Sequence, residues 1–276
     1  MTSRSLPIAD LAAIATEALA ARDERRQIAP FSSRYDGLDL DTAYRIAADV
    51  RAQRIARGET PVGRKIGFTN RTIWAEYDVW APIWGSMYQT TVHDLAALAG
   101  RFSLDGLAEP RIEPEIVFGL ARAPEPGMDA AALLGCIEWV AHGFEIVQSI
   151  FPGWKFAAAD CVAAFGLHGA LLVGPRQSVS AHRAGWLASL SSFAIDLACD
   201  GVVVDHGQAA NVLDGPLFAL RHLVELLAAD PSQPALAAGE VVTTGTLTRA
   251  LPVAPGQVWT TALRGVALAG IGVRFG

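Results

Sequence analysis

RIEPEIVFGL, residues 111–120, reads as a β-strand with two glutamates on one face. Side chains alternate across a strand, so Arg111, Glu113, Glu115 and Val117 share one side. Ile112, Pro114, Ile116, Phe118 and Leu120 share the other, an apolar face that anchors the strand to a core. The polar face sets two like charges side by side, their Cα atoms roughly 6.6–7 Å apart. Such carboxylates can converge on one divalent cation, whose charge cancels the repulsion. A third carboxylate makes the site firm, and Glu145, inside the apolar segment GFEIVQS (143–149), is the candidate, because a buried glutamate needs a partner. The competing reading is a solvated edge strand with Arg111 as ion-pair partner, and a structural salt bridge for Glu145. Pro114 points to an edge or a bulge. Spacing alone leaves both readings open.

Outward from this strand, the chain divides into two textures. Ile8, Leu11, Ile14, Ala15, Ala18 and Leu19 recur at helical spacing and predict a helix over 8–27. After the linker QIAPFSSRYDG, Asp41 is the candidate cap of a second helix, TAYRIAADVRAQRIARGE. These make a helical region over 1–61. From Val62 onward, residues 62–276 show short β-like runs punctuated by Gly and Pro. VGRKIGFT reads as a strand, and WAPIWGSMYQTTV as a turn-rich lead into another. DAALLGCIEWVAHGFEIVQS reads as a helix running into the strand GFEIVQS. HGALLVG, SFAIDLACDGVVVDHG, GEVVTTGTL and IGVRFG supply further strands, and VLDGPLFALRHLVELLAAD an amphipathic helix stopped by Pro231. Helices first, then mostly strands, is an α+β order with a mixed sheet rather than a regular βαβ alternation.

Composition narrows the function. A formal charge of −6 argues against a nucleic-acid partner, which would demand clustered Lys and Arg. No apolar run approaches the ~20 residues of a membrane span, and acidic residues interrupt any signal-like core near the N-terminus. Cys136, Cys161 and Cys199 form no metal-type pair, so reduced thiols and a cytoplasmic location are expected. Of the 22 Lys plus Arg, only Lys65 and Lys155 are lysines. Lysine is the cation whose pKa moves readily on burial, so each marks a candidate acid/base or an incidental surface charge. A P-loop, an HExxH helix, a CxxC pair and a GxSxG elbow are all missing.

Five segments then carry a resemblance: GRKIGFTN (63–70), EPRIEPEIVFGL (109–120), GFEIVQS (143–149), WKFAAADCVAAFGLHGALLVG (154–174) and GEVVTTGTLTRALPVAPGQ (239–257). In this order, with the closing VALAGIGVRFG, they resemble the 2-keto-4-pentenoate hydratase and 4-oxalocrotonate decarboxylase group of the fumarylacetoacetate hydrolase superfamily. The resemblance spans nearly the whole chain. It implies a mixed β-roll and an E-x-E…E metal site, matched by Glu113, Glu115 and Glu145, holding Mg²⁺ or Mn²⁺. It implies a small 2-keto acid substrate chelated through its carboxylate and 2-oxo groups. Lys65 matches the lysine near the metal, for proton transfer or enolate stabilisation, with Gly67 beside it. Thr246 matches a position that hydrogen-bonds the substrate carboxylate, with Gly245 clearing space. Lys155 is a candidate substrate or ligand contact, or a structural ion pair. A homo-oligomer is also expected, because the apolar helices lack partners.

The departures fall in one segment. The group carries an acidic-Asn-Ala-Ser-Ser stretch after the D-x-V-A motif, and here Asp160–Ala163 is followed by AFGLHG. Ala164 and Phe165 replace the polar pair, and His168 falls near a serine position. His168 is either a substituted acid/base or a satisfied core histidine. The metal-binding half is intact, while the means of adding water is altered. The expected reaction is hydration of a 2-hydroxy-2,4-dienoate, with decarboxylation of a 2-oxo-dicarboxylate, acylpyruvate C–C hydrolysis or a non-catalytic subunit as alternatives.

Overall fold

The computed structural model describes residues 6–71, 74–75, 79–180 and 183–276. Its helices are α1 (Ile8–Asp23), α2 (Leu40–Ala56), α3 (Ala130–Leu134), α4 (Ala158–Ala163), α5 (Arg183–Ser189) and α6 (Pro216–Ala229). The strands of the first half are β1 (Pro61–Gly67), β2 (Ile83–Tyr88), β3 (Val92–Asp94), β4 (Arg101–Phe102), β5 (Arg111–Leu120), β6 (Ile137–Val147) and β7 (His168–Val173). Those of the second are β8 (Gln177–Ser178), β9 (Ala194–Cys199), β10 (Val202–Gln208), β11 (Val241–Thr243), β12 (Leu251–Pro252), β13 (Val258–Arg264) and β14 (Gly272–Phe275).

One sheet runs β2-β1-β11-β5-β6-β7-β3, with β12 also pairing β5 and β8 pairing β6. The other runs β10-β9-β13-β14-β4. Both are mixed: β1–β11, β3–β7 and β4–β14 are parallel, and β5–β6 is antiparallel over its full length. Ile112, Phe144 and Ile146 from the first sheet meet Leu197, Trp259 and Val273 from the second in one buried core. This is the α+β roll expected from the pattern of helices followed by strands.

The second helix begins earlier than expected. Asp39, not Asp41, is its N-cap, its carboxylate accepting from Thr42 N at 2.9 Å. An N-cap side chain serves the amide three residues on, and Asp41 already lies inside the first turn. The first helix stops at Asp23 rather than 27, and the helix before GFEIVQS shrinks to Ala130–Leu134 because the strand starts at Ile137. The helix at Pro216–Ala229 forms as its amphipathic pattern requires, with Pro at its first position. Leu11, Ile14 and Ala18 of α1 and Ile46 and Val50 of α2 bury against Phe151 and Val162. No helix among the described residues is long and apolar enough to cross a membrane.

Pro114 does not mark an edge. β5 lies inside its sheet, between β6 and a neighbour split into β11 and β12. β11 pairs with β5 as far as Val117 and β12 resumes at Ile112, so Pro114 faces the break between them. Its carbonyl there accepts from Leu247 N at 2.9 Å, and its missing N–H costs no ladder bond.

Candidate active site

The β5–β6 register sets Glu113 directly opposite Glu145 and Glu115 opposite Gly143. Alternation puts all three carboxylates on one face of neighbouring strands. One oxygen from each lies within 4.8 Å of the others. Glu115 and Glu145 are fully buried, and Glu113 stands half-buried at the mouth. The solvated-edge reading of this face is thereby excluded.

Fixed donors aim each carboxylate. Gly245 N donates to Glu115 Oε2 at 2.7 Å. Gly245 has φ of +94°, and a Cβ there would fall 1.9 Å from Thr69 Oγ1, so only glycine fits this approach. His168 Nδ1 lies 2.8 Å from Glu145 Oε1, and Lys65 Nζ 3.4 Å from Glu145 Oε2. Lys65 Nζ also donates to Gly166 O at 3.1 Å. Phe165, Gly166 and Leu167 all have left-handed backbone, with φ of 52°, 63° and 58°. For the two non-glycine residues this costs on the order of 1–3 kcal/mol each. The strained turn presents the Gly166 carbonyl to the lysine.

The electrostatics are those of a site built for positive charge. Burial pushes the Glu113 carboxyl up to about 7, against the pull of Lys65. Burial and the neighbouring Glu145 and Glu113 push Glu115 well above the usual carboxylate range. Burial would raise Glu145 too, but Lys65 and the His168 hydrogen bond hold it down at about 2. Burial works against the charge on Lys65, yet the facing glutamates outweigh it and hold the ammonium protonated above its ordinary value. Glu115 Oε1 and Glu145 Oε2 are buried without a hydrogen-bond donor. Three oxygen ligands, two of them with an unused oxygen, fit a hard divalent cation.

A cleft of about 670 Å³ opens onto this cluster. Lys65, Gly67, Glu113, Gly245 and Thr246 line it together, as does Cys161. Thr246 Oγ1 donates to Thr248 O at 3.0 Å. Lys155 is exposed and outside the cleft wall. His168 is buried behind the cluster, not on the wall, with Nε2 2.9 Å from Thr91 Oγ1. Burial lowers its pKa, consistent with a neutral ring whose Nδ1–H donates to Glu145 and whose Nε2 accepts from Thr91. Asp160 of the D-x-V-A motif is a structural anchor, accepting from Ser32 N at 2.8 Å and Ser32 Oγ at 2.6 Å. Sequence reasoning did not find Thr91, Cys161 or Trp154. Nothing local marks the first two. Trp154 is tied to the site by Arg111, whose guanidinium lies 4.2 Å from its ring centroid, on the strand face already singled out.

The chain is 28% identical to a 2-hydroxyhexa-2,4-dienoate hydratase of Comamonas testosteroni over 242 residues, 87% of this chain and 89% of that one. It is 29% identical to a 4-oxalocrotonate decarboxylase of a Pseudomonas species over 244 residues, 87% of each chain. The structure of a 4-oxalocrotonate decarboxylase from Pseudomonas putida, complexed with magnesium and adipate, superposes with a TM-score of 0.88 at 26% identity over 99% of both chains. These likenesses are to the 2-keto-4-pentenoate hydratase and 4-oxalocrotonate decarboxylase group. A fumarylpyruvate hydrolase from Pseudomonas aeruginosa, in complex with Mn²⁺ and pyruvate, shares the fold at a TM-score of 0.53 and 14% identity, over 78% of this chain and 88% of that one. That likeness is one of fold. No protein-family model matches the chain. The Ala164–Leu167 stretch, where the resemblance implied a polar pair, forms the strained turn under Lys65.

Proposed function

We propose that this protein is a divalent-metal-dependent lyase that hydrates a 2-hydroxy-2,4-dienoate, or its 2-keto-4-pentenoate tautomer, in the breakdown of aromatic compounds. The observation that carries the reading is the convergence of Glu113, Glu115 and Glu145 beside the protonated Lys65 at the end of a cleft with both apolar and polar walls. Mg²⁺ or Mn²⁺ held by the three glutamates would supply Lewis-acid polarisation of the substrate's 2-oxo and carboxylate oxygens. Lys65 Nζ, fixed by Glu145 and Gly166 O, is a donor that stabilises negative charge on the 2-oxygen and returns a proton during ketonisation. Thr246 Oγ1, at the cleft wall, turns from Thr248 O to donate to the substrate carboxylate. Phe68, Ile83, Val147 and Leu167 enclose the carbon tail and limit water to the molecule that adds at C4. His168 holds the Glu145 carboxylate in its binding orientation and does not meet substrate.

Decarboxylation of a 2-oxo-enedioate is the second reading, favoured by Arg111. Its guanidinium stacks on Trp154 at the cleft mouth, with no carboxylate among the described residues at ion-pair distance. It is a ready partner for a second carboxylate on the substrate tail. In that reaction the C5–C6 bond breaks and its electron pair moves through the conjugated chain to the 2-oxygen. The test is ultraviolet monitoring of a 2-hydroxydienoate with and without Mg²⁺, beside CO₂ release from 2-oxo-3-hexenedioate. Metal-dependent loss of dienol absorbance supports hydration, and CO₂ release supports decarboxylation. Neither activity in a metal-binding protein removes the enzyme reading.

A cytoplasmic location is supported by the free thiols of Cys136, Cys161 and Cys199. A homo-oligomer is supported by Val202, Val203 and Val204, exposed together on the edge strand β10. Light scattering on the purified chain tests the second point.

A further inference from the structure

Glu145 has two partners to satisfy. It is one of three carboxylates that converge on the cation site, and its Oε2 is the ion-pair partner of Lys65 Nζ at 3.4 Å. These roles compete. A divalent cation cancels two of the three carboxylate charges and sets a second positive charge near the ammonium. The ion pair that draws Lys65 inward in the metal-free protein therefore weakens once the site is filled. Lys65 is only 4% exposed, so an ammonium released by Glu145 needs another acceptor where it lies or must leave for solvent. A lysine that transfers protons beside the cation, as the lyase reading requires, needs an anchor that the cation does not weaken.

The uncharged acceptor is Gly166 O, 3.1 Å from Nζ. It belongs to the Phe165–Leu167 turn, whose far end is tied down. Leu167 N donates to Ala164 O and Leu167 O accepts from Gln148 N, both at 2.9 Å. The same turn reaches Glu145 by a second route, because His168 N donates to Phe165 O and the His168 ring holds Glu145 Oε1. The middle of the turn rests on Gly85. Gly85 stands opposite Lys65 in the β1–β2 register, so the two share a face. A Cβ at Gly85 would fall 2.8 Å from Phe165 O and 3.4 Å from Gly166 Cα. Both are main-chain atoms, with no rotamer by which to yield. A Cβ at Gly166, where φ is +63°, would fall 3.1 Å from Lys65 Cδ. Strand, turn and lysine stem are thus stacked through two bare Cα positions. A side chain at residue 85 would lift the turn off β2 and carry the Gly166 carbonyl away from Nζ.

We propose that Gly85 is a positioning residue for Lys65. Its bare Cα lets the Phe165–Leu167 turn seat on β2, and the seated turn keeps the ammonium in the cleft when a divalent cation has taken Glu145 from it. The inference rests on the lyase reading for the cation, and on the turn's own geometry for the anchor.

Lys65 and Lys155 are the chain's two lysines, which makes the ammonium directly observable. In protein labelled with nitrogen-15 at lysine Nζ, the exposed Lys155 exchanges its protons quickly with water, and Lys155→Arg assigns the slowly exchanging signal to Lys65. In the parent this signal should persist when EDTA is replaced by Mg²⁺. In Gly85→Ala it should persist in EDTA. In Mg²⁺ its protons should exchange roughly tenfold faster or more, the worth of one hydrogen bond to a charged group. Circular dichroism and Mg²⁺ titration should show the variant's fold and metal affinity retained. Its kcat should fall with KM near the parent's, as a displaced donor requires and a damaged fold does not. Should Gly85→Ala fail to fold, Gly166→Ala, which crowds the flexible lysine stem instead of main chain, carries the same test. A signal that Mg²⁺ removes from the parent, or one that behaves alike in parent and variant, overturns the proposal and leaves the lyase reading standing. A parent that binds no Mg²⁺ overturns both.

Discussion

His168 Nδ1 sits 2.8 Å from Glu145 Oε1 while its other nitrogen sits 2.9 Å from Thr91 Oγ1, so one buried ring locks one carboxylate from behind. A partner in this position orients a ligand without touching what the ligand binds. His168→Ala is therefore expected to weaken divalent-metal binding roughly 10–100-fold, with the fold retained. Isothermal titration with Mn²⁺ alongside circular dichroism checks both halves. A catalytic acid/base role predicts instead that metal affinity survives and only kcat falls.

Burial and two carboxylate neighbours penalise the charged form of the Glu115 carboxyl. Glu115→Gln keeps the shape and removes the ionisable group. In EDTA at pH 8 the variant should unfold at a higher temperature than the parent, by roughly 0.5–2 kcal/mol of stability. On adding Mg²⁺ the order should reverse, because the parent gains a ligand that the variant lacks. A variant less stable than the parent in EDTA would show that the like charges are not the dominant strain.

Protons and metal compete for the same oxygens. Glu113 is raised to about 7 by burial, so in the metal-free protein its contribution to stability is fully present below about 4.5, its unfolded value, and is lost as pH rises to about 7. Glu145 is held at about 2, so its contribution is lost only in acid, between about 4.5 and 2. Metal affinity should rise steeply between pH 6 and about 8. Proton release on Mn²⁺ binding, measured by titration in buffers of different ionisation enthalpy, should be close to one proton or more at pH 6. A flat affinity over that range would contradict the raised carboxyls.

Asp39 accepts from the Thr42 amide and starts α2. Asp39→Ala should cost about 1 kcal/mol of stability, and Asp41→Ala markedly less. Chemical denaturation of the two variants side by side decides which aspartate caps.

Much of the site was legible because a strand's alternation is rigid. Glu113 and Glu115 had to share a face, and a buried Glu145 had to find a counter-charge. Which strand would lie beside β5 was not legible locally, because pairing is a long-range choice, and the family resemblance supplied it. His168 shows the limit on the other side. Its sequence neighbours allow both a reactive and a structural role, and only its two partners, Glu145 on β6 and Thr91 in the turn before β3, separate them. Pro114 misled for a similar reason. Proline excludes a ladder bond, not an interior strand, and the gap between β11 and β12 satisfies both conditions.

That gap has a consequence for how such an enzyme changes over time. The three glutamates stand on β5 and β6, a continuously hydrogen-bonded pair that tolerates little alteration. Gly245 and Thr246 hang in the interruption, and Phe165–Leu167 in a turn outside any ladder. Loops of this kind accept substitution and insertion far more readily than paired strands do. The architecture thus separates a carboxylate platform on paired strands from fittings carried on loops around it. The AFGLHG stretch begins in one of these two segments, beside the lysine that the turn holds.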